Sequence, residues 1–270
     1  MNLRQKYDHY GFLTAVDAIS SAKAAYYAKK CTEFIEQYST HSDYSDWTYG
    51  RTEMVLRWVA ELAAEESLLN VIEDLIGPNI LLWNAFLPVK PPHSAANFGW
   101  HQDATYWPVE PTNQIITAWV ALSPVNLSNG GMQMVRGSHS NGPVAHETTY
   151  DKTSMLRRGQ QVTIPIDDTK VINIDLIPGQ ASIHHTLMLH RSSSNESKDW
   201  RLGVGFNYAS SNVKPLPGYH DSAILLRGDA KGSGFELTEP PKSDLDKAAL
   251  ENFARVQQLQ SKRYDDVKQS

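Results

Sequence analysis

Ile115-Ile-Thr-Ala-Trp-Val-Ala-Leu122 is a run of eight residues, rich in β-branched and aromatic side chains and too short for a self-standing buried helix. It reads as a buried strand. The same texture recurs at Leu81 to Val89, Ala181 to Leu189 and Leu202-Gly-Val-Gly-Phe-Asn-Tyr208, with Pro, Gly and Asn signals between the runs, Pro178-Gly179 among them. From Ile80 to Tyr208 such short apolar or alternating runs follow one another. The expected architecture is therefore mainly β with flanking helices, built on a double-sheet jelly roll of antiparallel strands.

Outward from that core, Ile19 to Tyr38 and Thr52 to Ile76 have helix-forming composition and apolar spacings near three and four, the second ending at Gly77-Pro78. Leu245 to Val267 is charged and helical in pattern. With no linker, repeat or low-complexity tract, the chain reads as a single domain over 1–270: a helical N-terminal layer (1–79), the jelly-roll core (80–210) and a C-terminal loop and helix (211–270).

Composition narrows the class. A net charge of −5 without a clustered Lys/Arg stripe argues against nucleic acid as a partner. The first ten residues hold no apolar signal core, and no stretch reaches the length needed to span a bilayer, so no membrane role is expected. Cys31 stands alone, which forbids an intrachain disulfide and suits a cytoplasmic address. No helix carries a heptad seam, which leaves a monomer or a weak homodimer.

The chemistry is concentrated in Phe98-Gly-Trp-His101-Gln-Asp103-Ala-Thr-Tyr-Trp107. On a strand, residues two apart share a face, so the His-x-Asp spacing aims the His101 imidazole and the Asp103 carboxylate at one point. One more imidazole from a distant strand completes a face of two histidines and a carboxylate. That set leaves three coordination positions open and is diagnostic of non-haem Fe(II) oxygenases. A lone His-x-Asp pair is common by chance, but Phe98, Trp100, Tyr106 and Trp107 around it suggest a pocket wall.

A candidate third ligand, His190, follows the Ala181 to Leu189 run, with His184 and His185 close enough to compete. Eleven residues further on, Arg201 opens another strand-like segment. An oxygenase using 2-oxoglutarate needs a cation in a dry pocket for the distal carboxylate, and the rigid fork of arginine meets a carboxylate through two charge-assisted hydrogen bonds. Ser192, on the face of His190 if the strand continues, offers a hydroxyl.

With these residues in view, the sequence resembles the phytanoyl-CoA dioxygenase (PhyH) family of Fe(II)/2-oxoglutarate oxygenases from about Leu81 to Tyr208, whose core is the cupin-like double-stranded β-helix. The resemblance implies that His101, Asp103 and His190 are the catalytic metal ligands, and that Arg201 and Ser192 bind the 2-oxoglutarate tail. It prefers His190 over His184 and His185 because only its spacing to Ser192 and Arg201 fits the family. His185 matches a position where relatives often carry a supporting histidine. Trp107 sits where ectoine hydroxylases of the family place a Trp, Phe98 at the aromatic position before the pair, and Trp119 at another aromatic position. Asn129-Gly-Gly-Met-Gln-Met-Val-Arg-Gly-Ser-His139 looks like the family's N-G-x-x-x-x-x-G-S-H stretch. One departure stands out: many relatives read H-G-S-G-x-N where this chain has His190-Arg-Ser-Ser-Ser-Asn195, so Arg191 replaces a glycine.

The implied activity uses Fe(II), 2-oxoglutarate and O2 to hydroxylate an unactivated C–H bond, releasing succinate and CO2. Asp103 fills the position that halogenases of the family leave small for chloride, which favours hydroxylation. The motif pattern resembles the bacterial small-molecule hydroxylase branch more than the acyl-CoA enzyme. It points to a small polar or zwitterionic metabolite, amino-phosphonate-like, or a natural-product intermediate. The alternatives are oxidative demethylation, desaturation or cyclisation at the same iron, and a non-catalytic jelly roll that binds a metabolite or metal. Phe98, Trp119 and Asn84 are further candidates for cofactor contact, and Trp107, Gln102, Lys90 and Gln133 for substrate contact. His139 and His146 are read as turn or core hydrogen-bonding groups, and Arg227 as a surface ion pair. The aromatic patch from Asp43 to Tyr49 is read as a lid element or a cap on the helical layer.

Overall fold

The computed structural model describes residues 1–156 and 158–266; Val267, at the end of the expected C-terminal helix, lies outside them. The chain forms two compact units, one of residues 1–32, 88–106 and 117–204, the other of residues 33–87, 107–116 and 205–270.

The first unit opens with elements that the sequence reading missed. Helix Leu3–Tyr10 starts at a capping box between Asn2 and Gln5 and stops at Gly11 in the left-handed region. A side chain at Gly11 would also place its Cβ 2.2 Å from Met188 Cε, so the position needs glycine twice over. The strand Phe12–Asp17 then pairs antiparallel with Gln180–His185, Phe12 opposite His184. Ile115–Ala121, buried at every residue as its unbroken apolar pattern predicts, lies next in that sheet.

A second, four-stranded sheet has the order Phe98–His101, His190–Ser192, Met132–Val135, Val171–Asn173, with each neighbouring pair antiparallel. Phe12, Trp119 and Ala121 from one sheet pack with Met134 from the other, together with Ile174, Leu176 and Met188, in one buried cluster. The two sheets of this unit therefore face each other across a shared core. The run Ala181 to Leu189 is not a single strand. The chain leaves the first sheet at His185 and turns, with Met188 N–H donating to His185 O at 2.8 Å, before entering the second sheet at His190. Met188 and Leu189 are buried in the turn, which is why the run looks uniformly apolar.

In the second unit, Ile80–Phe86 stands between Gly203–Ser210 and Ser222–Arg227, both antiparallel to it. The short Glu236–Leu237 strand runs parallel to Ser222–Arg227, an exception to the expected antiparallel pattern. The expected helix over Thr52 to Ile76 is three pieces: a helical turn Thr52–Met54 and helices Arg57–Ala63 and Glu66–Ile76. The break after Ala63 has a cause: the Tyr208 hydroxyl donates to Ala63 O at 2.9 Å, taking an acceptor that a continuous helix would use. Helix Ser21–Tyr38 forms as expected and carries Cys31 fully buried. No described helix is long and apolar enough to cross a membrane.

Candidate metal centre

His101 ends the Phe98–His101 strand and stands directly opposite His190 in the paired register. Asp103 does not share the strand. The strand stops at His101, and Asp103 begins the helical turn Asp103–Tyr106, so a bend of the chain, rather than strand alternation, returns its carboxylate to the imidazoles. One donor atom from each of His101, Asp103 and His190 lies within 4.8 Å of the others. Asp103 Oδ1 is 3.6 Å from His101 Nε2 and 3.5 Å from His190 Nε2.

Each ring is aimed from behind. His101 Nδ1 meets Gly99 O at 2.8 Å and His190 Nδ1 meets Met188 O at 3.0 Å. Carbonyls only accept, so both Nδ1 atoms carry the proton and both Nε2 atoms present lone pairs to the common point. Burial, reinforced by His101, holds His190 well below the usual imidazole range, so it is neutral as a ligand must be. Burial alone would raise the Asp103 carboxyl. The neighbouring imidazoles of His190, His101 and His184 outweigh it and hold Asp103 well below the carboxylate range. Two imidazole nitrogens and one ionised oxygen, nearly dry, form a donor set that fits Fe(II).

His184, left open in the sequence as a competing ligand, lies at this cluster without joining it. Its Nε2 is 3.2 Å from Asp103 Oδ2, the far oxygen, and Thr117 Oγ1 donates to that same oxygen at 2.6 Å. His185 points elsewhere: its Nδ1 accepts from Leu187 N–H and its ring lies near Tyr7 and His139, consistent with a supporting role.

Beside the triad is a cluster of buried cations. Arg201, 2% exposed, donates through Nη1 to Ser192 Oγ at 2.9 Å and to Gly130 O, and through Nη2 to Pro88 O. Its Nε–H is buried with no partner. Trp119 lies under the guanidinium, ring centroid to Cζ 5.3 Å, and Gly203 leaves the space that its indole fills. Lys90, a candidate for substrate contact in the sequence, is 0% exposed and donates to Ser192 Oγ at 2.6 Å, Ser192 O at 3.1 Å and Ser193 O. Neither cation has a carboxylate partner among the described residues. Burial, with Arg201 nearby, pushes Lys90 down to about 6, and burial pushes Arg201 down to about 9. The pocket is therefore short of negative charge.

The other sequence candidates scatter. Phe98 stacks on His101, with ring centroids 6.1 Å apart. The side chain of Gln102 bonds only to backbone: its amide donates to Gly142 O and Leu187 O and accepts from Val144 N–H. Gln133 bridges Arg191 and Asn173, each at 2.7 Å. Arg191, in place of the family glycine, alternates away from His190 and Ser192 and lies over Trp100, 4.9 Å from the ring centroid. Trp100 thus carries that cation on its ring face.

Asn84 and Trp107 belong to the second unit. Asn84 accepts from Arg51 N–H at 2.8 Å and donates to Asn207 at 2.9 Å, while Trp107 meets Trp83 edge-on at 5.0 Å. Arg227 pairs with Glu73 at 2.6 Å, and within the Asp43 to Tyr49 patch Trp47 is buried and stacks on His41. His146 Nε2 accepts from Gln102 N–H and His139 Nε2 lies 3.1 Å from Asp8 O, the hydrogen-bonding roles read for them. The Tyr106 side chain lies outside the described residues.

The profile of the family described as phytanoyl-CoA dioxygenase (PhyH) matches residues 7–203. The peroxisomal phytanoyl-CoA dioxygenase of Rattus norvegicus is 27% identical over 154 residues, 54% of this chain and 44% of that protein. A probable alpha-ketoglutarate-dependent hypophosphite dioxygenase of Stutzerimonas stutzeri is 26% identical over 184 residues, 62% of this chain and 59% of that protein. The chain spans about half the length of the curated relatives it matches. Among solved structures, the apo form of the non-heme monooxygenase ThoJ is 28% identical and superposes with a TM-score of 0.88, covering 99% of each chain. A nickel complex of ThoJ gives 0.83 at 26% identity, covering 98% of this chain and 99% of that one. The jelly-roll architecture expected from the strand pattern is the fold these chains share.

Proposed function

The chain belongs to the phytanoyl-CoA dioxygenase family, and from that membership we propose that it is an Fe(II)- and 2-oxoglutarate-dependent oxygenase that hydroxylates a small polar or zwitterionic metabolite. The observation that carries the proposal is the pairing of a buried His101, Asp103, His190 donor set with the buried Arg201 and Lys90 side chains, neither of which has a carboxylate partner among the described residues. A dicarboxylate cosubstrate supplies what the second group lacks. The match runs through segments of both compact units, which supports treating 1–270 as one catalytic domain.

Iron, when bound with 2-oxoglutarate and O2, supplies the oxidising power: R–H, O2 and 2-oxoglutarate become R–OH, succinate and CO2. The side chains have narrower tasks. His101 and His190 would hold the metal through Nε2, their Nδ1–H groups keeping the rings in place, and Asp103 would hold it through Oδ1. Arg201 would meet the distal carboxylate with its unpartnered Nε–H and the second hydrogen of Nη2, the side edge of its fork. Ser192 Oγ and Gly130 O hold that arginine through Nη1, Lys90 anchors Ser192 in turn, and Trp119 keeps water from the guanidinium. Gln102 and Gln133 act as braces in this reading, since their amides are already bonded. The small-molecule assignment draws on the hypophosphite enzyme among the relatives. A cytoplasmic monomer or weak homodimer completes the proposal.

The test is an anaerobic titration with Fe(II) and then 2-oxoglutarate, followed by visible absorption. A weak metal-to-ligand charge-transfer band is expected in the wild type and should be lost or weakened in Arg201→Ala. Iron binding without a band at saturating 2-oxoglutarate would mean that the metal serves another chemistry. Turnover confined to long-chain acyl-CoA would overturn the substrate class.

A further inference from the structure

We propose that His184 and Thr117 are positioning residues that hold Asp103 to a single open oxygen. The inference rests on the iron reading above. Asp103 Oδ1 faces the two ligand imidazoles at 3.6 and 3.5 Å, while Oδ2 is occupied by Thr117 Oγ1 at 2.6 Å and His184 Nε2 at 3.2 Å. A carboxylate oxygen only accepts, so Thr117 gives it O–H and His184 gives it Nε2–H. That tautomer leaves His184 Nδ1 bare, and Nδ1 indeed has no hydrogen-bond partner although the residue is only 1% exposed. The carboxylate is thus the hydrogen-bonded contact that accounts for a polar ring in this core.

The placement follows from the strands. Thr117 lies on Ile115–Ala121 and His184 on Gln180–His185, neighbours in one sheet, whereas His101 and His190 come from the facing sheet. One sheet offers the imidazoles and the other braces the acid. Asp103 needs such a brace because it sits on a helical turn rather than in a ladder.

Coordination arithmetic gives the brace a purpose. Two imidazoles and one carboxylate oxygen leave three of six positions open. A chelating carboxylate would leave two, one fewer than a chelating keto acid and a small co-reactant require. Filling Oδ2 from the protein side keeps the third position open.

The proposal is tested by titrating the apoprotein with Co(II) and recording visible and proton NMR spectra. His184→Phe and Thr117→Val should each weaken Co(II) binding about 10- to 100-fold, the usual cost of losing an outer partner of a metal ligand. In His184→Phe the visible bands should also weaken, as the freed carboxylate chelates and the coordination number rises. His184→Gln, whose amide N–H can replace the imidazole N–H, should restore most of the affinity. Two shifted, exchangeable imidazole N–H signals are expected in both wild type and His184→Phe.

Unchanged affinity and spectra in His184→Phe and Thr117→Val would overturn the proposal. So would a third shifted N–H in the wild type that His184→Phe abolishes, since His184 would then be a ligand. Failure of the iron reading shows separately, as Co(II) binding that His101→Ala leaves intact. Thr117→Val removes one hydroxyl at constant shape, so the test stands even if His184→Phe folds poorly.

Discussion

Two buried side chains, Lys90 and Arg201, set the behaviour of the cosubstrate pocket. Lys90 Nζ meets three accepting oxygens, which call for three ammonium hydrogens, while its surroundings push the amine down to about 6. A carboxylate settling beside Arg201 removes that conflict by raising the amine again. The sign follows: in the free protein above about pH 6 Lys90 has lost its proton, so binding must take one up, and 2-oxoglutarate affinity falls as pH rises above about 6. Calorimetry in two buffers of different ionisation heat should show an uptake near one proton in the wild type and much less in Lys90→Met. Equal uptake in both proteins would assign the proton elsewhere. This residue-level picture was half legible in the sequence. His101, Ser192 and Arg201 were legible by residue type, because a metal and a carboxylate each demand particular donors, while the choice of His190 over His184 and His185 rested on the family resemblance. Lys90 stood in the sequence only as a candidate for substrate contact, since a lysine at a strand end is ordinarily exposed and only three-dimensional packing buries it.

Among the elements, the close approach of Gly203–Ser210 to Trp119 on Ile115–Ala121 is the least tolerant contact. A Cβ at Gly203 would fall 2.1 Å from Trp119 Cζ2, so Gly203→Ala must displace the indole that covers Arg201. A loss of about 1–3 kcal/mol in chemical denaturation is expected, the usual cost of overpacking, together with weaker 2-oxoglutarate binding. Trp119→Phe in the same chain should recover part of the stability; if Gly203→Ala alone is silent in both assays, the contact is softer than the geometry implies. Strand existence in this region was readable because Ile115 to Leu122 is apolar throughout. The divided helix over Thr52 to Ile76 was not, since its break comes from the Tyr208 hydroxyl, a partner 145 residues away in sequence. Phe12–Asp17 was likewise hidden. It alternates poorly, and its form comes from pairing with Gln180–His185 rather than from its own composition.

For the whole molecule, a donor triad and an anion pocket predict that ligands add to global stability by mass action. Non-turnover metal plus 2-oxoglutarate, each at about a hundredfold excess over its Kd, should stabilise the fold by about 2.7 kcal/mol per ligand. That is a rise of several degrees in Tm. Calorimetric melts should show both increments in the wild type, neither with the metal in His101→Ala, and only the metal increment in Arg201→Ala. If the keto acid stabilises Arg201→Ala as fully as the wild type, the assignment of the clamp falls. The fold class was legible across the chain because strand punctuation repeats through its core, whereas the course of individual turns, such as the one that carries Asp103, depends on contacts no local pattern records.

The lone cysteine has a practical consequence. Cys31 is wholly buried in helix Ser21–Tyr38, and burial pushes its thiol up to about 12, so it stays a protonated, shielded group toward alkylating reagents. The native chain is then a ready blank background for site-directed labelling. A thiol introduced at Tyr150, 77% exposed, would be its single reactive handle. It would lie on the segment whose Thr153 and Met155 bond to Asn97, just ahead of the strand that ends in His101. A nitroxide or fluorophore there would report by distance on a paramagnetic ion at the triad without any prior removal of cysteine.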